Sequence, residues 1–261
     1  MMRRTPMIPD LDTIPVRYHP LMRDAEVYDS SCSPEARVYF IDRDGGCYLK
    51  TAGKGTLAAE ARMDDYFHTL GLGPEMLDFQ SLDRDWLLTR AVAGEDCTHK
   101  MYLEDPKRLS ELLSRILRHL HSQEPAAFLP NRLESYLTEA RRNYREGKFD
   151  ASLFPDNWGY ASAEEAWRMV ETNSGFLKAD TLIHGDYCLP NVMLHNWKFS
   201  GFIDLGRAGL GDKHMDIFWG AWTLRFNLKT DAYCSRFLDA YGRENFDREL
   251  LRVVAALEVF L

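Results

Sequence analysis

Three polar residues are spaced for chemistry on phosphate: Asp186, Asn191 five residues later, and Asp204 at the end of an apolar run. They stand in the runs His184-Gly185-Asp186-Tyr187-Cys188-Leu189-Pro190-Asn191 and Ile203-Asp204-Leu205-Gly206. Moving a phosphoryl group from a nucleotide to a hydroxyl needs one carboxylate to orient the attacking hydroxyl and take its proton. It also needs an amide oxygen and a second carboxylate to hold metal ions against the nucleotide's phosphates. Asp186 suits the first task, Asn191 and Asp204 the second. A turn polar explains any one of them alone; the three at this spacing point to a catalytic loop.

Such a loop needs rigid supports. Residues 181–183 before it, 192–194 after it and 199–203 leading into Asp204 read as short apolar strands, with a hairpin turn at His195-Asn196. Nearer the N-terminus, residues 1–24 are Pro-rich and read as extended surface chain. Glu26-Val27-Tyr28 comes next, then strands at 38–41 and 47–50, a helix over about 57–70 that Gly71 and Gly73-Pro74 stop, and a hairpin of 76–79 with 86–89. That makes roughly five strands and one helix. From Gly94 the period changes. Leu109, Leu112, Leu113, Ile116, Leu117 and Leu120 recur at helical spacing behind Asp105-Pro106, and further helices read near 133–146, 163–171, 216–224, 233–241 and 248–260. The hinge reads near Arg90-Ala91-Val92, dividing residues 1–91 from 92–261.

Lys50 closes the strand Cys47-Tyr48-Leu49-Lys50, where its ammonium can reach phosphates as a point charge. Glu60 shares a helix face with Met63, Phe67 and Leu70, so its carboxylate points inward and needs a cation. Together they predict a Lys50–Glu60 ion pair; Lys50 alone also reads as a solvated strand end. Asp64 and Asp65 flank the stripe and read as solvated. The turn Ser30-Ser31-Cys32-Ser33-Pro34 lacks a Gly-rich pattern, yet its amides and a hydroxyl, Ser33 for one, can meet phosphate. A plain Ser/Pro turn fits equally.

The 261 residues suffice for one large domain or two lobes. With 32 Lys+Arg against 40 Asp+Glu the net charge is −8, and no long basic run stands out, which argues against a nucleic-acid partner. No stretch is long and apolar enough to span a membrane, and no signal region follows the N-terminus. The five cysteines have no zinc-like spacing and read as reduced thiols of a cytoplasmic protein. No obligate protein partner is implied.

The runs HGDYCLPNVML and NWKFSGFIDLGRAGLGDKHMDI closely resemble the aminoglycoside phosphotransferases, most of all the branch that phosphorylates the 3′-hydroxyl of kanamycin-type drugs. The resemblance is densest over 181–220 and looser over 28–261. It implies an α+β, two-lobed protein-kinase-like fold, with an N-terminal antiparallel sheet plus one helix and a mainly helical C-terminal lobe. It implies ATP or GTP and Mg2+ as cofactors, a cationic small-molecule substrate and a role in antibiotic resistance. By the same resemblance Lys50 and Glu60 hold the phosphates, Tyr48 stacks on adenine, and Ala91 and Val92 meet the nucleotide at the hinge. His184 braces the loop, and Asp216 accepts bonds from its backbone, although a helix-capping aspartate looks the same in sequence. Arg207, the loop Asp156-Asn157-Trp158, Glu258 and the carboxylate of Leu261 fall where the family binds the drug. Glu258 alone also reads as a solvated face of the last helix.

The chain departs from the pattern in Leu224-Arg225-Phe226-Asn227 and at Gly159, where drug-binding relatives carry acids. Each lost carboxylate removes a partner for an ammonium group. A kinase of another small hydroxyl compound, or a nucleotide-binding regulatory protein of the same fold, are the competing readings. A protein kinase does not fit, because Asp204 and Asp216 leave no room for a long activation segment.

Overall fold

The computed structural model describes residues 4–151 and 159–261. It divides into two compact units, Met1–His99 with Pro190–Gly206, and Lys100–Leu189 with Arg207–Leu261.

The first unit is built on a six-stranded antiparallel sheet in the order β1-β2-β3-β4-β6-β5. Its strands are β1 (Thr5–Met7), β2 (Glu26–Asp29), β3 (Ala36–Asp42), β4 (Cys47–Gly53), β5 (Met76–Ser81) and β6 (Arg84–Arg90). Side chains alternate along each strand. Tyr39, Ile41, Cys47, Leu49, Trp86 and Leu88 bury one face against Ile14, Tyr18 and Met22. The opposite face buries Ala52 and Leu87 against Leu57 and Ala61 of the segment that forms the long helix Ala58–Thr69. The N-terminal segment is therefore not simply extended. It adds β1 to the sheet edge and then makes short helical turns at Leu11–Thr13, Val16–Tyr18 and His19–Met22. Ile14, Tyr18 and Met22 recur every four residues, and burying that stripe outweighs the surrounding prolines.

A second, three-stranded sheet in this unit runs β10-β9-β7, from β7 (Glu95–Asp96), β9 (Val192–His195) and β10 (Lys198–Phe202). Pairing of β9 with β7 brings Pro190–Gly206 back to the first unit. Gly94 is required beside it, with φ +98° and a Cβ position only 2.1 Å from the Leu194 carbonyl oxygen. The β9–β10 turn has Asn196 and Trp197 at its centre, φ +51° and +66°, one residue later than the expected His195-Asn196. A two-residue hairpin loop of this type needs both central residues left-handed, which suits asparagine.

The second unit is mainly helical. Helices Pro106–His121, Arg132–Arg145, Ala163–Asn173, Lys213–Leu228, Ala232–Tyr241 and Arg248–Glu258 surround a two-stranded pair of β8 (Thr181–Ile183) and β11 (Gly209–Gly211). The starts follow from capping: Asp105, Asn131, Ser162, Asp212 and Asp247 each accept a backbone N–H of the first turn. Asp216, expected to head its helix, lies inside the first turn, and Asp212 is the cap.

Candidate active site

In the first unit, Ser33, Tyr48, Lys50, Glu60, Val92, Asn191 and Asp204 line one cleft of about 260 Å³. Strand alternation puts Tyr48 and Lys50 of β4 on the same sheet face. The Lys50 Nζ donates to Glu60 Oε1 and Oε2 at 2.8 Å each and to Asp204 Oδ1 at 3.1 Å. The expected Lys50–Glu60 pair is thus present, and Asp204 shares the ammonium. Burial works against the charge of Lys50, but the Glu60 and Asp204 carboxylates outweigh it and hold its pKa above the ordinary value. Tyr48 packs on Phe40 with ring centroids 5.0 Å apart, and its hydroxyl accepts from Arg4 at 2.8 Å. Ala91 is not on the cleft wall; its N–H is spent on the Gly46 carbonyl at 3.0 Å.

Asp64 corrects the reading of the helix face. It is 2% exposed, whereas Asp65 is exposed as expected. Four residues beyond Glu60, it falls on the same side of the helix and joins the cleft lining. Burial first, and the neighbouring Glu60 charge second, push its carboxyl well above the usual range.

Asn191 and Asp204 are locked together through the backbone, because Ile203 N–H donates to the Asn191 carbonyl at 3.1 Å. Asp204 takes φ +59°, a costly conformation for a residue other than glycine, and its side chain stays about half exposed. An amide oxygen and an exposed carboxylate on one cleft suit a hard divalent cation that keeps several waters.

In the second unit, the loop after β8 carries Asp186. Asp216 anchors the loop's start: its carboxylate accepts from His184 N–H at 2.7 Å and Gly185 N–H at 2.8 Å. This is the backbone role that the resemblance implied. His184 is fully buried, and its Nδ1 accepts the Asp186 N–H at 3.3 Å, so it braces the loop. Gly185 has φ +80° and would place a Cβ 2.2 Å from the Arg207 carbonyl oxygen, so no other residue fits there. Tyr187 ties the loop down by donating to the Leu113 carbonyl at 2.7 Å.

Glu258 is not on a solvated helix face. It is 3% exposed and accepts from Trp219 Nε1 at 3.1 Å. Burial pushes its pKa from 4.5 up to about 7, against the lowering effect of Arg207. Arg207 lies 5.8 Å over the Tyr136 ring, in the field of Glu258 and Asp186. Leu261 N–H donates to the Glu258 carbonyl at 3.3 Å. Asp156 and Asn157 lie outside the described residues. Among the departures, Arg225 Nε pairs with Asp231 at 3.2 Å, Phe226 is exposed, and the Asn227 amide turns back to Thr223.

The buried Glu258 makes stability depend on pH. Between about 4.5 and 7 the folded state keeps a proton that the unfolded chain has lost, so stability falls as pH rises through that window. Glu258→Gln, which keeps the Trp219 bond, should match the native chain near pH 4 and exceed it by about 3 kcal/mol at pH 8. Urea melts at the two pH values measure this; an equal offset at both would assign the effect to packing.

A sequence model of the phosphotransferase enzyme family matches residues 33–254. A probable aminoglycoside 3′-phosphotransferase of Lactococcus lactis subsp. lactis is 45% identical over 254 residues, covering 96% of either chain. The crystal structure of an aminoglycoside 3′-phosphotransferase of type VIII superposes with a TM-score of 0.76 at 24% identity, covering 96% of this chain and 97% of that one. An aminoglycoside phosphotransferase of Streptomyces rimosus, solved with ADP and streptomycin, gives 0.74 at 23% identity over 97% and 99% of the two chains. These last two share the protein-kinase-like fold. A match over most of the length, with the HGD loop and the Lys50–Glu60 pair in place, makes this chain a member of the phosphotransferase enzyme family, among the aminoglycoside phosphotransferases.

Proposed function

We propose that this protein transfers the γ-phosphoryl group of ATP or GTP to a hydroxyl of an aminoglycoside, the 3′-hydroxyl, and so confers resistance to the drug. The observation that carries this reading is the Lys50 ammonium held by Glu60 and Asp204 in a cleft that Asn191 also lines. A cation fixed on two carboxylates is preorganised for the charge of a nucleotide's phosphates and needs no reorganisation when they arrive. The Streptomyces rimosus enzyme solved with ADP supports a nucleotide donor, and the Lactococcus lactis relative's name supports the 3′ position.

Residues 1–91 serve as the nucleotide-binding lobe and 92–261 as the lobe for catalysis and the acceptor. Ser33, Tyr48 and Val92 border the nucleotide. Asp186 orients the acceptor hydroxyl and accepts its proton as the oxygen bonds to phosphorus and the bond to the leaving diphosphate breaks. Asn191 and Asp204 hold magnesium, which when bound neutralises charge on the phosphates. Arg207, Asp156, Asn157, Glu258 and the Leu261 carboxylate receive the cationic acceptor. The cytoplasm is the proposed location: the five cysteines are free thiols, and no helix of the described residues is long and apolar enough to cross a membrane.

A second reading, a kinase of another small hydroxyl compound, draws support from 225–227. Arg225 and Asn227 have local partners there, and the run Arg225-Phe226-Asn227 carries no acid to meet an ammonium group. Phosphorylation of kanamycin and neomycin but not of their 3′-deoxy analogues is the expected result. Failure on every aminoglycoside, with turnover of a neutral or singly charged alcohol, would favour the second reading.

A further inference from the structure

We propose that the rings of Trp219, Trp222 and Phe226 form the bed on which the acceptor lies, and that Lys229 occupies its outer end until an ammonium group of the acceptor displaces it. The proposal rests on the reading of the Glu258 end as the acceptor site of an aminoglycoside kinase. The three rings share one face of the helix Lys213–Leu228, at steps of three and four residues. Trp219 starts the row at Glu258, where its Nε1 donates to Oε1 at 3.1 Å. Trp222 meets Trp219 edge-on, with ring centroids 5.2 Å apart and planes at 79°. Phe226 stacks on Trp222 at 4.9 Å and 11°. Exposure rises along the row: both indoles are half-buried, and Phe226 is 52% exposed. From Trp219 to Phe226 the row advances about 10 Å along the axis, a length comparable to two linked sugar rings.

A contiguous exposed aromatic row marks a contact site. Lys229 shows what its outer end takes. The Lys229 ammonium sits over the Phe226 ring, 4.2 Å from the centroid. Among the described residues no carboxylate pairs with it. The negative face of the ring attracts the cation. Phe226 also lies in the last turn of its helix, where the helix dipole favours positive charge. Arg225, the other cation of that turn, is paired with Asp231 at 3.2 Å. The outer end of the row thus already holds a primary ammonium group, the group that an aminoglycoside carries on its saturated rings. The C–H faces of such rings suit the negative faces of Trp219 and Trp222. The run Arg225-Phe226-Asn227 carries no acid, so a ring face takes the place of a carboxylate as the ammonium's partner. Lys229 and the acceptor then compete for one site.

The test measures kanamycin binding by calorimetry, and transfer kinetics with ATP and magnesium, for the native protein, Phe226→Leu, Lys229→Gln and the double variant. Both side chains are exposed, so neither substitution empties the core. Phe226→Leu keeps apolar bulk without the ring face and should raise the Kd for kanamycin roughly twofold to fivefold, the scale of one exposed cation–π contact. Lys229→Gln should lower it by a similar factor, because the competitor is gone. With Phe226→Leu already in place, Lys229→Gln should change Kd little, since no site is left to compete for. KM for kanamycin should follow Kd, while kcat and KM for ATP stay within about twofold, because the contact is the same in the ground and transition states. An unchanged Kd in Phe226→Leu or in Lys229→Gln overturns the proposal. So does an equal gain from Lys229→Gln with phenylalanine and with leucine at position 226, because charge repulsion alone then explains it. Native transfer to kanamycin alongside either result leaves the kinase reading standing. Kd values that follow the expected pattern without any transfer overturn the kinase reading alone. No binding of kanamycin or neomycin overturns both.

Discussion

Asp186→Ala should lower turnover at least about a hundredfold, the usual scale for removing a positioned general base, while nucleotide affinity changes little. The backbone around Asp186 is held at three points. Asp216 fixes the two residues before it, His184 Nδ1 accepts from its amide, and Cys188 N–H donates to its carbonyl. A loop so fastened does not collapse when one carboxylate is removed, so the loss should be chemical and not structural. It should appear in kcat, because orientation of the hydroxyl matters in the transition state. Equilibrium binding of a fluorescent ATP analogue, together with single-turnover transfer to kanamycin, separates the two. Near-native transfer by this variant would remove Asp186 from the mechanism.

Lys50→Met should be costly twice. Glu60 is 7% exposed and Asp64 2% exposed, and Asp204 shares the same ammonium. Without Lys50 these carboxylates lose their cation, and breaking a buried pair by removing one partner costs about 3 kcal/mol or more. The loss should be largest at high pH and shrink as the carboxylates take up protons. Adding Glu60→Gln should recover part of the stability by removing one of the unpaired charges. It should not recover turnover, which falls on the order of a hundredfold for want of a fixed cation at the phosphates. Thermal melts of the single and double variants test the first claim, and kinetics the second. A single variant as stable as the native chain would mean that water already neutralises the cleft.

What the sequence determined was local order and pairing between near neighbours. Period-2 and period-3.6 patterns place the strands and helices, and capping residues set where helices start. The 10-residue step from Lys50 to Glu60 was legible because a helix face fixes where a carboxylate points, and an inward carboxylate demands a cation. Asp186, Asn191 and Asp204 were singled out by spacing alone, and Asn191 and Asp204 line the cleft that Lys50 also lines. Tertiary structure alone decided the rest. Asp64 looked like a solvated flank, yet the 100° step of the helix carries it under Glu60. The N-terminal segment looked extended, and only the open sheet face gave Ile14, Tyr18 and Met22 a reason to form turns. Without the resemblance Glu258 looked like surface, and burial against Trp219 made it an acid that titrates near neutrality. Thr223 carried no motif, because its partner Leu189 lies 34 residues away along the chain. Burial and hydrogen-bond partners are properties of the packed chain. Sequence patterns report them only where partners share one strand, one helix face or one loop.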